Sequence, residues 1–154
     1  MSNLDSPPDS LRNQFLIAMP GLQDPNFART VTLICEHNED GAMGIIINRV
    51  LDLPISNVLV QLDVSEYQSE LDEHLVHLGG PVQESSGFVI HQPLGEWEAD
   101  LQIDTDLGVS ASREILHSIA KGEGPQQWLL ALGYAGWGPG QLEQEIGQNS
   151  WLNG

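Results

Sequence analysis

The chain has 154 residues, enough for one domain that buries roughly two-thirds of its unfolded surface, so a core can form without disulfides or metal. Forty per cent of the residues are hydrophobic, which excludes a disordered chain. Lys plus Arg total 5 against 22 Asp plus Glu, a net charge of −17 that excludes unaided binding to DNA or RNA and docking on anionic lipid.

Residues 1–14 carry Asp5, Pro7, Pro8 and Asp9 and read as a flexible tail, without the basic start and apolar run of a secretory signal. Gln14 to Met19, ended by Pro20 and Gly21, reads as a buried strand. Thr30 to Cys35, rich in β-branched residues, makes a second strand, and Ala42 to Asn48 a third. His37 to Gly41 is turn chemistry between them, so residues 30–48 form an antiparallel hairpin whose loop exceeds the tightest two-residue kind. Pro54 sets the first turn of a helix in which Ile55, Val58, Leu59 and Leu62 share one face. An acidic connector runs from Asp63 to Glu73.

Leu75 to Leu78 and Gly87 to His91 read as short strands separated by Gly79, Gly80 and Pro81. Over residues 96–104, Trp97, Ala99, Leu101 and Ile103 alternate with Glu96, Glu98, Asp100, Gln102 and Asp104, predicting a strand with one apolar and one acidic face. Ser110 or Ser112 caps a helix with the apolar stripe Ile115, Leu116, Ile119 and Ala120, stopped by Gly122. Trp128 to Leu132 is a core strand, and Gly133 to Gly140 a glycine-rich turn. Pro139 opens a short helix through Ile146, and Asn149 to Leu152 begins a last strand. Hairpin signals dominate over regular strand–helix alternation, so the class is α+β. No stretch reaches the roughly 18 apolar residues of a membrane helix, and the expected setting is the cytoplasm, away from membranes.

Three segments together carry a resemblance: FLIAMPGLQDPNFARTVTLICEHNEDGAMGIIINR (15–49), LGGPVQESSGFVIH (78–91) and LGYAGWGPGQLEQEIGQNSW (132–151). The chain resembles the AlgH/YqgE family, an uncharacterised bacterial group named for a proposed regulator of alginate synthesis. The resemblance runs from Phe15 to Gly154 and implies one α+β domain over 15–154. The implied fold is a strongly bent, bifurcated, mostly antiparallel sheet forming a pseudo-barrel flanked by helices. Family members continue past the Asn149-Ser150-Trp151 segment with a further element, so this chain is expected to lack that extension and to leave an apolar surface uncovered.

The candidate chemistry is sparse. Cys35, the single cysteine, excludes an internal disulfide. It lies two residues from His37, on one side of a strand, but Glu36, Glu39 and Asp40 disfavour a thiolate, so a packing role is expected and no catalytic residue is assigned. His74 and His77 fall on opposite faces of a strand, and no metal site or cofactor is expected. The acids of 96–104 are a solvated face, too widely spaced for calcium. The glycine-rich segment is a tight corner covered by Tyr134 and Trp137, or a small-molecule or peptide cleft. A ligand site would draw on His37, Asn48, Arg49, His91, Tyr134, Trp137 and Gln141. Arg49 is expected to pair with a carboxylate such as Glu145.

The function expected is therefore a non-catalytic regulatory or protein-interaction domain with a basic partner protein. The alternatives are a small-ligand-binding protein or enzyme with a cleft near Gly133–Gly140, and a transcriptional regulator acting indirectly rather than on DNA.

Overall fold

The apolar segments pair edge to edge into one ten-stranded sheet, seen in a computed structural model of the chain. The structure describes residues 10–22, 24–25, 27–61, 71, 74–95, 97, 99–111 and 113–153. Strands β1 (Phe15–Ala18), β2 (Val31–Asn38), β3 (Gly41–Ile46) and β4 (Val50–Pro54) lead into helix α1 (Ile55–Gln61). Strands β5 (Leu75–Leu78), β6 (Val82–Gln92), β7 (Leu101–Gln102) and β8 (Gly108–Ser110) lead into α2 (Arg113–Ala120). Then come β9 (Gln127–Trp137), α3 (Gln141–Gly147) and β10 (Trp151–Asn153).

The main path of the sheet runs β10-β1-β2-β3-β9-β6-β8-β7, and every pairing is antiparallel except that of β5 with β9. Strand β9 is where the sheet forks. One edge pairs with β6. The other edge takes β5 at Ala131 and Leu132, then β3 at Ala135 to Trp137. The exchange of partners falls at Gly133, whose φ is +76°. A Cβ on Gly133 would stand 2.4 Å from the Gly80 carbonyl oxygen, and one on Gly80 would stand 2.1 Å from the carbonyl carbon of Tyr134. Two backbones cross there at a separation that only glycine permits. The Gly79 N–H donates to Leu132 O at 2.7 Å, and Gly79 O accepts from Ile46 N–H at 2.8 Å, so the fork is also hydrogen-bonded.

The helices cover a core in three parts. Ile55 and Leu59 of α1 join Ile115, Leu116, Ile119 and Ala120 of α2 over Val89 and Leu130. Leu33, Cys35, Ile45, Ile90, Val109 and Ala131 form a second group. Leu16, Ile34, Ala135, Trp137, Leu142 and Trp151 form a third, under α3. On the outer face, Ile17 pairs with Leu152 across β1 and β10, and both are exposed.

Several expectations are corrected. The hairpin loop has two residues, Glu39 and Asp40, because His37 and Asn38 pair with Ala42 and Gly41 rather than turning. The polar residues there are edge positions of the ladder, which composition alone reads as loop. Residues 133–137 are strand, and the turn is confined to Gly138–Gly140, because the glycines admit close neighbours rather than breaking the chain. Within 96–104, among the described residues, only Leu101 and Gln102 pair, with β8. Trp97, Asp100 and Asp104 are bends, so the chain does not run straight enough there for a longer ladder, although Ile103 is buried as the alternation requires. Glu96, Glu98, Ser112, Leu62 and, but for Leu71, the acidic connector lie outside the described residues. The apolar stripe of α2 is buried as expected at all four positions.

Gly133→Ala is expected to lower stability by about 3 kcal/mol, read as a lower urea midpoint at unchanged m-value. A loss below about 0.5 kcal/mol would show that the crossing accommodates a side chain.

Candidate functional site

The corner between the β2–β3 hairpin, the end of β9 and α3 gathers three of the residues singled out above: His37, Trp137 and Gln141. Here a half-buried carboxylate organises the packing. Glu145 Oε1 accepts from both indole N–H groups, Trp137 Nε1 and Trp151 Nε1, each at 3.0 Å. Its other oxygen accepts from Gln141 Nε2 at 2.9 Å, and Gln141 Oε1 accepts from Gly138 N–H at 2.9 Å. The two indoles meet edge to face at 6.0 Å, and Phe27 packs on both. Glu145 is thus held by tryptophans and a glutamine, which corrects its expected pairing with Arg49.

His37 is 5% exposed. Its Nδ1 accepts the Leu11 N–H at 2.9 Å, so that nitrogen is bare and the ring proton sits on Nε2. Nε2 faces Glu143 Oε2 at 3.3 Å. Both ring nitrogens are committed, one to the backbone and one to a carboxylate, so His37 holds the N-terminal segment and is not poised as a base. Its expected position beside Cys35 is also corrected. A register shift between Ile34 and Glu36 moves the two residues apart: Cys35 packs with Leu33 and Ile45, while His37 meets Leu11 and Glu143. Burial pushes the Cys35 thiol up to about 12, helped by the Glu36 charge and opposed by Arg12. It is a protonated packing group at neutral pH.

The other candidate residues lie elsewhere. Asn48 accepts the Val31 N–H at 2.8 Å and donates to Arg29 O at 3.1 Å. Arg49 donates to the carbonyls of Pro25 at 3.3 Å and Ala28 at 3.1 Å. Together they fasten the loop after β1 to the end of β3. Tyr134 packs edge-on against Phe88 at 5.8 Å, at the fork. His91, at the far end of β6, is 1% exposed. Its Nδ1 lies 3.0 Å from Pro93 O, a pure acceptor, so Nδ1 carries the proton and Nε2 accepts from the Ser110 hydroxyl at 2.8 Å. This hydroxyl–imidazole pair is fully buried. Ser110, one of two candidate helix caps in the sequence, is instead the last residue of β8; no local motif connects it to His91, because the two meet through the β6–β8 pairing. Among the described residues, no three His, Cys, Asp or Glu side chains converge as metal ligands. Burial holds the His77 imidazole below the ordinary histidine range, against a weaker opposing pull from the Leu75 backbone.

What the corner offers to solvent is a groove of about 230 Å³ beside the hairpin. Glu36, Asn38, Asp40, Met43 and Trp137 line it, with Glu36 and Asp40 exposed. No Lys, Arg or His lines it among the described residues.

A family model described as DUF179, AlgH-like, matches residues 15–154. The chain belongs to this family. A UPF0301 protein of Nitrosococcus oceani is 56% identical over 142 residues, covering 92% of this chain and 76% of the relative. Another, of Methylococcus capsulatus, is 51% identical over 150 residues, covering 97% and 80%. The AlgH-like fold is also that of the AlgH protein of Pseudomonas aeruginosa, whose solution structure superposes with a TM-score of 0.81 at 44% identity, covering 97% of this chain and 79% of that one.

Two outcomes are expected. Glu145→Leu orphans two indole donors and should cost about 3 kcal/mol in chemical denaturation, with Glu145→Gln costing less. Cys35 should react with a disulfide reagent at about pH 8 at under roughly a hundredth of its rate in strong guanidinium. Rapid labelling of the folded protein would contradict its burial.

Proposed function

We propose that this AlgH-like chain is a non-catalytic protein-interaction domain of the cytoplasm that receives a basic segment of a partner protein at the hairpin groove. The observation that carries this reading is the groove's lining: two exposed carboxylates, Glu36 and Asp40, beside the apolar Met43, with no cation among the described lining residues. Lys and Arg are amphipathic in the same way, with an aliphatic stem and a charged head. The net charge of −17 would speed encounter with such a segment. The polar side chains of the corner are already hydrogen-bonded to the protein itself, which supports binding over catalysis.

The placement of the five cations supports a protein partner over nucleic acid. Arg12 donates to the Gln102 carbonyl, Arg29 and Arg49 belong to the loop region near β3, and Arg113 and Lys121 mark opposite ends of α2. They belong to different elements of the fold, which supports a protein partner over a phosphate backbone. On this reading, any influence on transcription passes through the partner.

The test is calorimetric titration with a Lys- and Arg-rich decapeptide at low salt, alongside an acidic decapeptide. The basic peptide should bind, and affinity should fall about tenfold or more on raising salt from 50 to about 300 mM. The Glu36→Gln, Asp40→Asn double variant should weaken it by about tenfold. Equal binding by wild type and double variant would remove the groove from the proposal. Tight, specific retention of duplex DNA by the pure protein in a gel-shift experiment would overturn it.

A further inference from the structure

A second concavity lies away from the acidic groove, where α1, β6, α2 and β9 meet. It encloses about 380 Å³, larger than the groove at the hairpin. Leu53, Val58, Leu116 and Leu132 supply apolar walls, and Asn57 and Arg113 line it as well. A cavity of about 150 Å³ already holds benzene, so this one has room for a ring or a medium-length chain together with a polar head. It also falls within the size range of small-molecule sites.

Gly87 keeps the cavity open. A Cβ there would touch Leu130 at 3.5 Å and Leu132 at 3.9 Å, ordinary contact distances, so packing does not forbid a side chain. The missing side chain leaves space that the core would otherwise fill.

Among the described residues the lining of the cavity carries the opposite charge to the chain as a whole. None of the 13 described Asp and Glu lines it, while one of the five Lys and Arg does. Among the described residues, no hydrogen bond or ion pair engages the Arg113 guanidinium. The first N–H before α2 is not available to a ligand, because Ala111 N–H donates to Asp100 Oδ2 at 2.6 Å. The anion-binding group is therefore the guanidinium, which suits a carboxylate through two parallel hydrogen bonds.

We infer that this cavity binds a small monocarboxylate, its apolar body against Leu53, Val58, Leu116 and Leu132 and its carboxylate on Arg113. The inference is independent of the hairpin groove and of any protein partner.

The probes are octanoate, its uncharged isostere octanamide, and octylammonium, titrated into the full chain and followed by methyl and amide NMR. Octanoate should shift the signals of Leu53, Val58, Gly87, Leu116 and Leu132, and bind at least about fivefold more tightly than octanamide and octylammonium. Arg113→Gln, on an exposed position, should bring octanoate down to the affinity of octanamide without changing the melting temperature. Gly87→Leu should abolish binding of both. A preference for octanoate below about fivefold on the wild-type protein would overturn the inference. So would shifts centred elsewhere, or no octanoate shifts up to about 10 mM. The wild-type comparison decides the matter even if Gly87→Leu fails to fold.

Discussion

The crossing of Gly79–Gly80 against Gly133–Tyr134 is the constraint on which the rest of the structure depends. Strand β9 can serve β5, β6 and β3 only because two chain segments approach to a distance that excludes any Cβ. Below the crossing, Leu132 and the strands beside it become the floor under α1 and α2. Above it, Ala135 and Trp137 carry the sheet to the hairpin and to α3. The acidic groove and the apolar cavity lie on opposite arms of this fork, and their separation follows from it.

A second theme is how much of the polar chemistry is spent on holding the backbone. Glu145 gathers two indoles and an amide. His37 takes a backbone N–H, His91 a hydroxyl and a carbonyl, and Asn48 and Arg49 fasten one loop. Buried polar groups are costly unless paired, and pairing fixes their tautomers and rotamers. These groups are hydrogen-bonded within the protein itself, to side chains at Glu145 and to backbone at Arg49. The two proposed sites are built on the hairpin carboxylates and on the Arg113 guanidinium, each for a partner of the opposite charge.

Much of the fold was legible because the pattern was local. The stripe Ile115, Leu116, Ile119, Ala120 has helical spacing and is buried as that spacing requires. The Leu75–Leu78 strand is flanked by glycine and proline and has the expected limits. The readings that needed correction involved partners remote in sequence. Alternation over 96–104 showed which side chains face inward, but whether a neighbouring edge was available to hydrogen-bond was decided elsewhere in the chain. The glycines of 133–140 looked like a turn because the segment that crosses them lies more than fifty residues earlier. The candidate site was legible only in part. Residue types flagged His37, Trp137 and Gln141, whereas Ser110 beside His91 and Glu145 between two tryptophans carry no signature in spacing.

By itself the sequence determined the α+β class, the family, the net negative charge and the single cysteine, because composition, periodicity and segment similarity are properties of neighbouring residues. The tertiary structure alone decided that one bulge separates Cys35 from His37. It decided, too, that Glu145 belongs to the indoles and that Arg113 lines a cavity with no carboxylate among its described lining residues. These depend on strand register and on close backbone crossings, and a shift of one residue in either would exchange the faces on which those side chains lie.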